Sequence, residues 1–213
     1  MEIKGKKVNF LGDSITEGYG VSSPEFMYVN VFAKKFEPAL VRNYGISGTR
    51  FAHQFVHVPG KPESFDLDFC GRVEGMDADA DIVVVYGGTN DFGSGDAPFG
   101  TPDDRTPETF TGACHFLMRS LIEKYPTATI VFMTPLHRQI EDRENRPPLC
   151  EFVSIIRKTA EFYSIPVLDL YANAGICPQI PAQKAAYMKD GVHPGDAGAA
   201  KIADMLGKFI QAL

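Results

Sequence analysis

Apolar runs of strand length recur five times along the chain, at residues 7–11, 40–44, 81–86, 128–134 and 166–170. Each is rich in β-branched or aromatic residues and stops at Gly, Pro, Asp or Asn, the composition expected of strands. Ile82-Val83-Val84-Val85 has no polar alternation, which marks a strand covered on both faces, as in a parallel sheet. Between the runs, apolar residues fall at helical spacing over 107–125, 148–163 and 194–212, with Pro107 and Pro194 suited to first-turn positions where a missing N–H costs nothing. Strands alternating with helices predict a doubly wound α/β domain. Such sheets bind ligands beyond the carboxyl ends of their strands, so the residues that follow each strand carry the argument. Two long irregular stretches, 47–79 and 89–106, follow strands at that edge, and loops of such length are functional more often than idle.

Composition narrows the classes. A chain of 213 residues with 44% apolar content builds one substantial core, so a single domain over 1–213 is expected. The net charge of −6 supplies no basic field for a nucleic acid or an anionic membrane surface. The N-terminal stretch carries Lys4, Lys6 and Lys7 but neither the apolar length nor the small-residue site of a secretory signal, and no run is long enough to span a bilayer. Cys70, Cys114, Cys150 and Cys177 form no C-x-x-C pair, which argues against a zinc knuckle and for reduced thiols in a cytoplasm. Nothing in the pattern bears on oligomeric state.

Candidate chemistry gathers at the strand ends. Gly12-Asp13-Ser14 follows the first strand; the serine offers a hydroxyl, although a bare Gly-Asp-Ser arises by chance in roughly one chain in twenty, and either Asp13 or Ser14 could simply cap a helix. Ile46-Ser47-Gly48 follows the second strand, where glycine permits close approach of a main-chain N–H or makes a plain turn. Gly88-Thr89-Asn90-Asp91 follows the third, where Asn90 either points an amide into the crevice or closes an Asx-turn. Near the C-terminus, Asp190-Gly191-Val192-His193-Pro194 sets a carboxylate three residues before an imidazole, a spacing that fixes one ring nitrogen and frees the other. Each site is modest alone. Together they supply a nucleophile, a base, an orienting acid and donors for a developing oxyanion, a combination that no structural role requires.

These four blocks, in this order from residue 12 to residue 194, resemble the SGNH hydrolases, also called the GDSL lipase and acylhydrolase family. The resemblance implies a flavodoxin-like three-layer α/β/α sandwich with a five-stranded parallel sheet, and no need of a cofactor. It implies Ser14 as nucleophile, His193 as base and Asp190 as its orienting acid, with Ser14, Gly48 and Asn90 around the oxyanion. The G-x-S-x-G elbow of α/β-hydrolases is absent, because Ile15 and Thr16 follow Ser14. The aromatic-rich segment 51–69 exceeds the minimal fold.

The substrate expected is a small-molecule ester, with a short acyl group such as acetyl on a carbohydrate. A thioesterase, a lysophospholipase and a non-catalytic carbohydrate-binding relative are the alternatives. Asp13, Thr89, Asp91, His137, Arg138, Phe51 and Val192 are further candidates for substrate contact, and Phe51, Phe55, Phe65, Phe92 and Phe99 either wall the pocket or form loop core. His53 and His57 have the four-residue spacing of helical metal ligands, but no carboxylate pattern accompanies them, and Pro59-Gly60 follows. A flavin or nucleotide binder is disfavoured by the lack of G-x-G-x-x-G or Walker-type loops.

Overall fold

The computed structural model describes residues 1–213. Five strands, β1 (Lys7–Gly12), β2 (Leu40–Gly45), β3 (Ile82–Tyr86), β4 (Thr129–Met133) and β5 (Val167–Leu168), form one parallel sheet in the order β2-β1-β3-β4-β5. All five expected strands are present. Around them run α1 (Ser14–Glu17), α2 (Tyr28–Phe36), α3 (Phe69–Arg72), α4 (Thr89–Gly93), α5 (Phe110–Lys124), α6 (Leu149–Phe162), α7 (Leu170–Asn173), α8 (Pro181–Tyr187) and α9 (Asp196–Ala212). α2 packs with α9, and α5 with α6.

The sheet separates two apolar cores. Successive β3 residues point to opposite faces: Val83 and Val85 join Phe51, Phe69, Phe110 and the inner faces of α5 and α6, while Ile82, Val84 and Tyr86 join Phe10, Phe32 and the inner faces of α2 and α9. All five β3 residues are therefore buried, as the unbroken apolar run required. The result is a three-layer α/β/α sandwich.

Register decides where the chemistry sits. Gly12 of β1 lies level with Gly45 of β2 and Tyr86 of β3, so the segments after these three strands emerge at one edge. Chain connections leave β1 and β3 in opposite directions, which opens a crevice between neighbouring strand ends.

Several element boundaries differ from the sequence pattern for local reasons. Residues 166–170 read as one strand, yet β5 is two residues long because Asp169 caps α7 by accepting from the N–H of Ala172. Pro107 is not in a first turn: the Thr109 hydroxyl accepts from the Gly112 N–H at 3.1 Å and starts α5 after it. Pro194 also lies outside its helix, bridged to Met188, and Gly195 is the cap of α9. Stretches 47–79 and 89–106 contain α3, α4 and a 3₁₀ turn at Glu63–Asp66 rather than being irregular throughout.

Candidate active site

Ser14 is placed by the turn that leaves β1. Asp13 is extended, and its Oδ1 accepts from the Ile15 N–H at 2.9 Å, which caps α1 and sets Ser14 at the carboxyl edge of the sheet. Desolvation of the buried Asp13 carboxyl pushes its pKa up to about 7 against the pull of the Ile15 hydrogen bond, and its Oδ2 has no partner.

The imidazole arrives from the far end of the chain. Lys189 N–H donates to the His193 carbonyl at 2.8 Å, closing a tight loop ahead of α9. Within it, Asp190 Oδ1 accepts from the N–H groups of Val192 and His193, both at 2.7 Å, while Oδ2 lies 2.9 Å from His193 Nδ1. Burial works to raise the Asp190 pKa, but the main-chain and ring donors of His193, with Val192, outweigh it and hold the carboxyl below the usual range. His193 Nε2 lies 2.9 Å from Ser14 Oγ. One hydrogen-bonded line thus runs from carboxylate through imidazole to hydroxyl, a geometry suited to drawing a proton from a nucleophile.

Gly48 and Asn90 complete the surroundings of Ser14. Gly48 has a φ of 81°, and a Cβ there would fall 1.9 Å from ring carbons of Phe65. Glycine is therefore required twice over, by backbone conformation and by space. The Gly48 N–H donates to no protein group, whereas the neighbouring Ser47 N–H and hydroxyl both donate to Glu17. Glu17 thereby ties the Gly48 turn to the helix that carries Ser14. Asn90 Nδ2 donates to the Thr49 carbonyl at 3.0 Å, and an amide nitrogen has a second hydrogen to offer. Ser14, Gly48, Asn90 and His193 line one cleft of about 300 Å³, together with Tyr19 and Phe65. The Tyr19 ring stands edge-on to His193, centroids 4.5 Å apart.

The structure brings together Ser14, Asp190, His193, Gly48 and Asn90, with Phe65 from the candidate pocket walls; the other candidates lie outside the lining of the cleft. Phe51 is a core residue, not a pocket wall: its ring packs against Phe69, Phe110 and Phe132 at 5.0, 6.2 and 6.2 Å. Asp91 turns inward to accept from the N–H groups of Phe51 and Ala52, and burial raises its pKa to about 6. Thr89 accepts from Arg138 through its carbonyl and hydroxyl at 2.6 and 3.1 Å, so each occupies the other. His137 is 2.8 Å from Glu141 and lies against Tyr171, and the Val192 N–H is engaged by Asp190. Asp13 is buried and adjoins Ser14 in the chain. Of the five loop phenylalanines, Phe65 alone lines the cleft; Phe92 and Phe99 belong to the core and Phe55 is exposed. His53 and His57 sit on irregular chain and face Asp68 and Asp66.

Glu17, Tyr19, Ser47 and Lys61 escaped the sequence reading as site residues. Glu17 and Tyr19 lie within five residues of Ser14, and Ser47 adjoins Gly48, so proximity to the motifs was an available signal. Lys61 is brought in by the long segment after β2, and no spacing rule points to it.

Comparison with known proteins agrees with this architecture. A model of the GDSL-like Lipase/Acylhydrolase family matches residues 10–201, and the chain belongs to that family. No curated protein matches it in sequence. Among solved structures, a protein from Lactobacillus plantarum is 28% identical, with 99% of this chain and 98% of that one covered and a TM-score of 0.85. The lipase/acylhydrolase from Enterococcus faecalis shares the fold at 20% identity over 97% and 96% of the chains, TM-score 0.67. A two-domain esterase active on acetylated mannans shares it at 21% identity over 97% of this chain and 48% of that one, TM-score 0.63.

Proposed function

We propose that the protein is a serine esterase that hydrolyses carboxylic esters of short acyl groups, such as acetyl on a carbohydrate or other small molecule, through an acyl-enzyme. The observation that carries this reading is the Asp190–His193–Ser14 line of hydrogen bonds, which ends in the cleft lined also by Gly48 and Asn90. Ser14 Oγ attacks the ester carbonyl carbon as His193 Nε2 takes the hydroxyl proton. Asp190 holds the ring and stabilises the imidazolium; its lowered pKa keeps it ionised while it does so. The N–H groups of Ser14 and Gly48 and the Asn90 amide donate to the oxyanion. His193 returns its proton to the leaving alcohol, and water, activated by the same nitrogen, then releases the acid and restores Ser14.

The size of the cleft, about 300 Å³, and a lining whose hydrophobic residues are Tyr19 and Phe65 favour a short acyl group over a long chain. The acetylated-mannan esterase with this fold is consistent with an acetylated carbohydrate. A cytoplasmic setting belongs to the same reading and is supported by four free cysteines. No helix is long and apolar enough to cross a membrane.

The test is a p-nitrophenyl ester series of increasing acyl length, run beside acetylated sugars, with fluorophosphonate labelling in parallel. Turnover is expected to be highest for acetyl. Ser14→Ala and His193→Ala are expected to lower turnover by several orders of magnitude with the fold intact, and Ser14→Ala to abolish labelling. A labelled, fully active Ser14→Ala protein would refute the assignment.

A further inference from the structure

Two of the side chains lining the cleft carry a fixed charge, Asp190 and Lys61. Asp190 is occupied by three donors, as described above. Lys61 is not: its ammonium makes no ion pair or hydrogen bond with the protein and lies 5.5 Å from the centroid of the Phe65 ring. The guanidinium of Arg50 approaches the same ring at 5.2 Å, and Arg50 also donates to the Phe65 carbonyl at 2.9 Å. Phe65 thus stands between a buried cation and an exposed one, with its ring against Gly48.

The segment that carries Lys61 is tied at several points. His57 faces Asp66 and His53 faces Asp68, which draws the outgoing and returning arms together. Lys61 N–H donates to the Val58 carbonyl at 3.1 Å, making a turn through Gly60, whose φ is 74°. A chain with a net charge of −6 therefore holds an unpaired cation at the cleft that contains its nucleophile. A neutral ester gives that charge no partner, whereas a carboxylate on the substrate would.

We propose that Lys61, seated over Phe65, is a specificity-determining residue that favours esters bearing a carboxylate away from the scissile bond. This rests on the esterase reading of the cleft. Lys61 contributes to substrate capture and not to proton transfer, so its effect falls on KM more than on kcat, and salt weakens it.

The experiment compares two acetyl esters of nearly equal size, 4-acetoxybenzoate and 4-acetoxybenzamide, and reads the ratio of their kcat/KM values. Differences in intrinsic reactivity cancel when that ratio is compared between variants. Lys61→Gln is expected to lower the acid-to-amide ratio about fivefold, the scale of an exposed ion pair, and Lys61→Glu to lower it further. Lys158→Gln, an exposed lysine on α6, is the control and should leave the ratio unchanged. An unaltered ratio in Lys61→Gln, or an equal fall in Lys158→Gln, would overturn the proposal. If the wild-type chain hydrolyses neither ester, the esterase reading fails separately. Titration of both compounds against wild-type and Lys61→Gln protein by NMR then decides the point, and equal affinity ratios would overturn it.

Discussion

A single methyl group at Gly48 tests the proposed site more directly than loss of the Ser14 hydroxyl does. The backbone there has a φ of 81°, where an L-residue costs ~1–2 kcal/mol. The added Cβ would also sit 1.9 Å from two carbons of the Phe65 ring, and Phe65 is held by its hydrogen bond from the buried Arg50. Overpacking of this kind costs roughly 1–3 kcal/mol, so Gly48→Ala is expected to lose about 2–5 kcal/mol of stability unless the loop moves. Movement of the loop would turn the Gly48 N–H away from the proposed oxyanion position, and one lost donor of that kind lowers kcat about a hundred- to a thousandfold. Phe65→Ala in the same chain removes the collision but leaves the backbone cost. The double variant is therefore expected to recover about tenfold or more of the activity lost by Gly48→Ala, a coupling of ~1.4 kcal/mol. Steady-state hydrolysis of p-nitrophenyl acetate and urea midpoints across the four proteins measure both quantities. Wild-type kcat in Gly48→Ala, or a double variant that recovers neither activity nor midpoint, would refute the reasoning.

Other outcomes follow from the same geometry. Asn90→Ala is expected to reduce kcat about a hundred- to a thousandfold with a smaller change in KM, and undiminished activity would remove Asn90 from the oxyanion site. Asp13 and Asp91 have folded pKa values raised to about 7 and about 6 from 3.8, so the stability linked to them is fully present below 3.8 and is lost as pH rises through 6 to 7. Asp190, with its pKa lowered, acts in the opposite sense and withdraws stability as pH falls through its folded value. Asp13→Asn, which keeps an acceptor for Ile15 N–H, should flatten the decline between pH 4 and 7 in urea midpoints, and an unchanged slope would sink the attribution. Phe51→Ala is expected to cost ~3–5 kcal/mol of stability, as a core ring does; a loss of substrate affinity without loss of stability would return Phe51 to the pocket.

The parallel sheet was legible because its strands are buried on both faces and read as unbroken apolar runs, as at Ile82-Val83-Val84-Val85. The grouping of Ser14, Gly48, Asn90, Asp190 and His193 was legible because each follows a strand or precedes the last helix, where register delivers it to one edge. What escaped depends on side-chain direction. α2 was missed because it spans nine residues and begins without a side-chain cap. Phe51, Phe65 and Phe92 are equivalent as letters in a loop, yet one faces the cleft and two face the core, a choice made by tertiary packing. Asp13 and Asp91 looked like polar residues beside a nucleophile, but their carboxylates serve buried main-chain N–H groups.

The hydroxyl of Ser14 and its imidazole partner are 179 positions apart in sequence. During synthesis the serine therefore leaves the ribosome long before His193 exists, and a nascent chain that has begun to fold still lacks the imidazole that the proposed mechanism needs. On the proposed mechanism, reactivity would begin only once the Lys189–His193 loop has closed against the turn that carries Ser14, and ester hydrolysis would report the finished molecule rather than any partly made one.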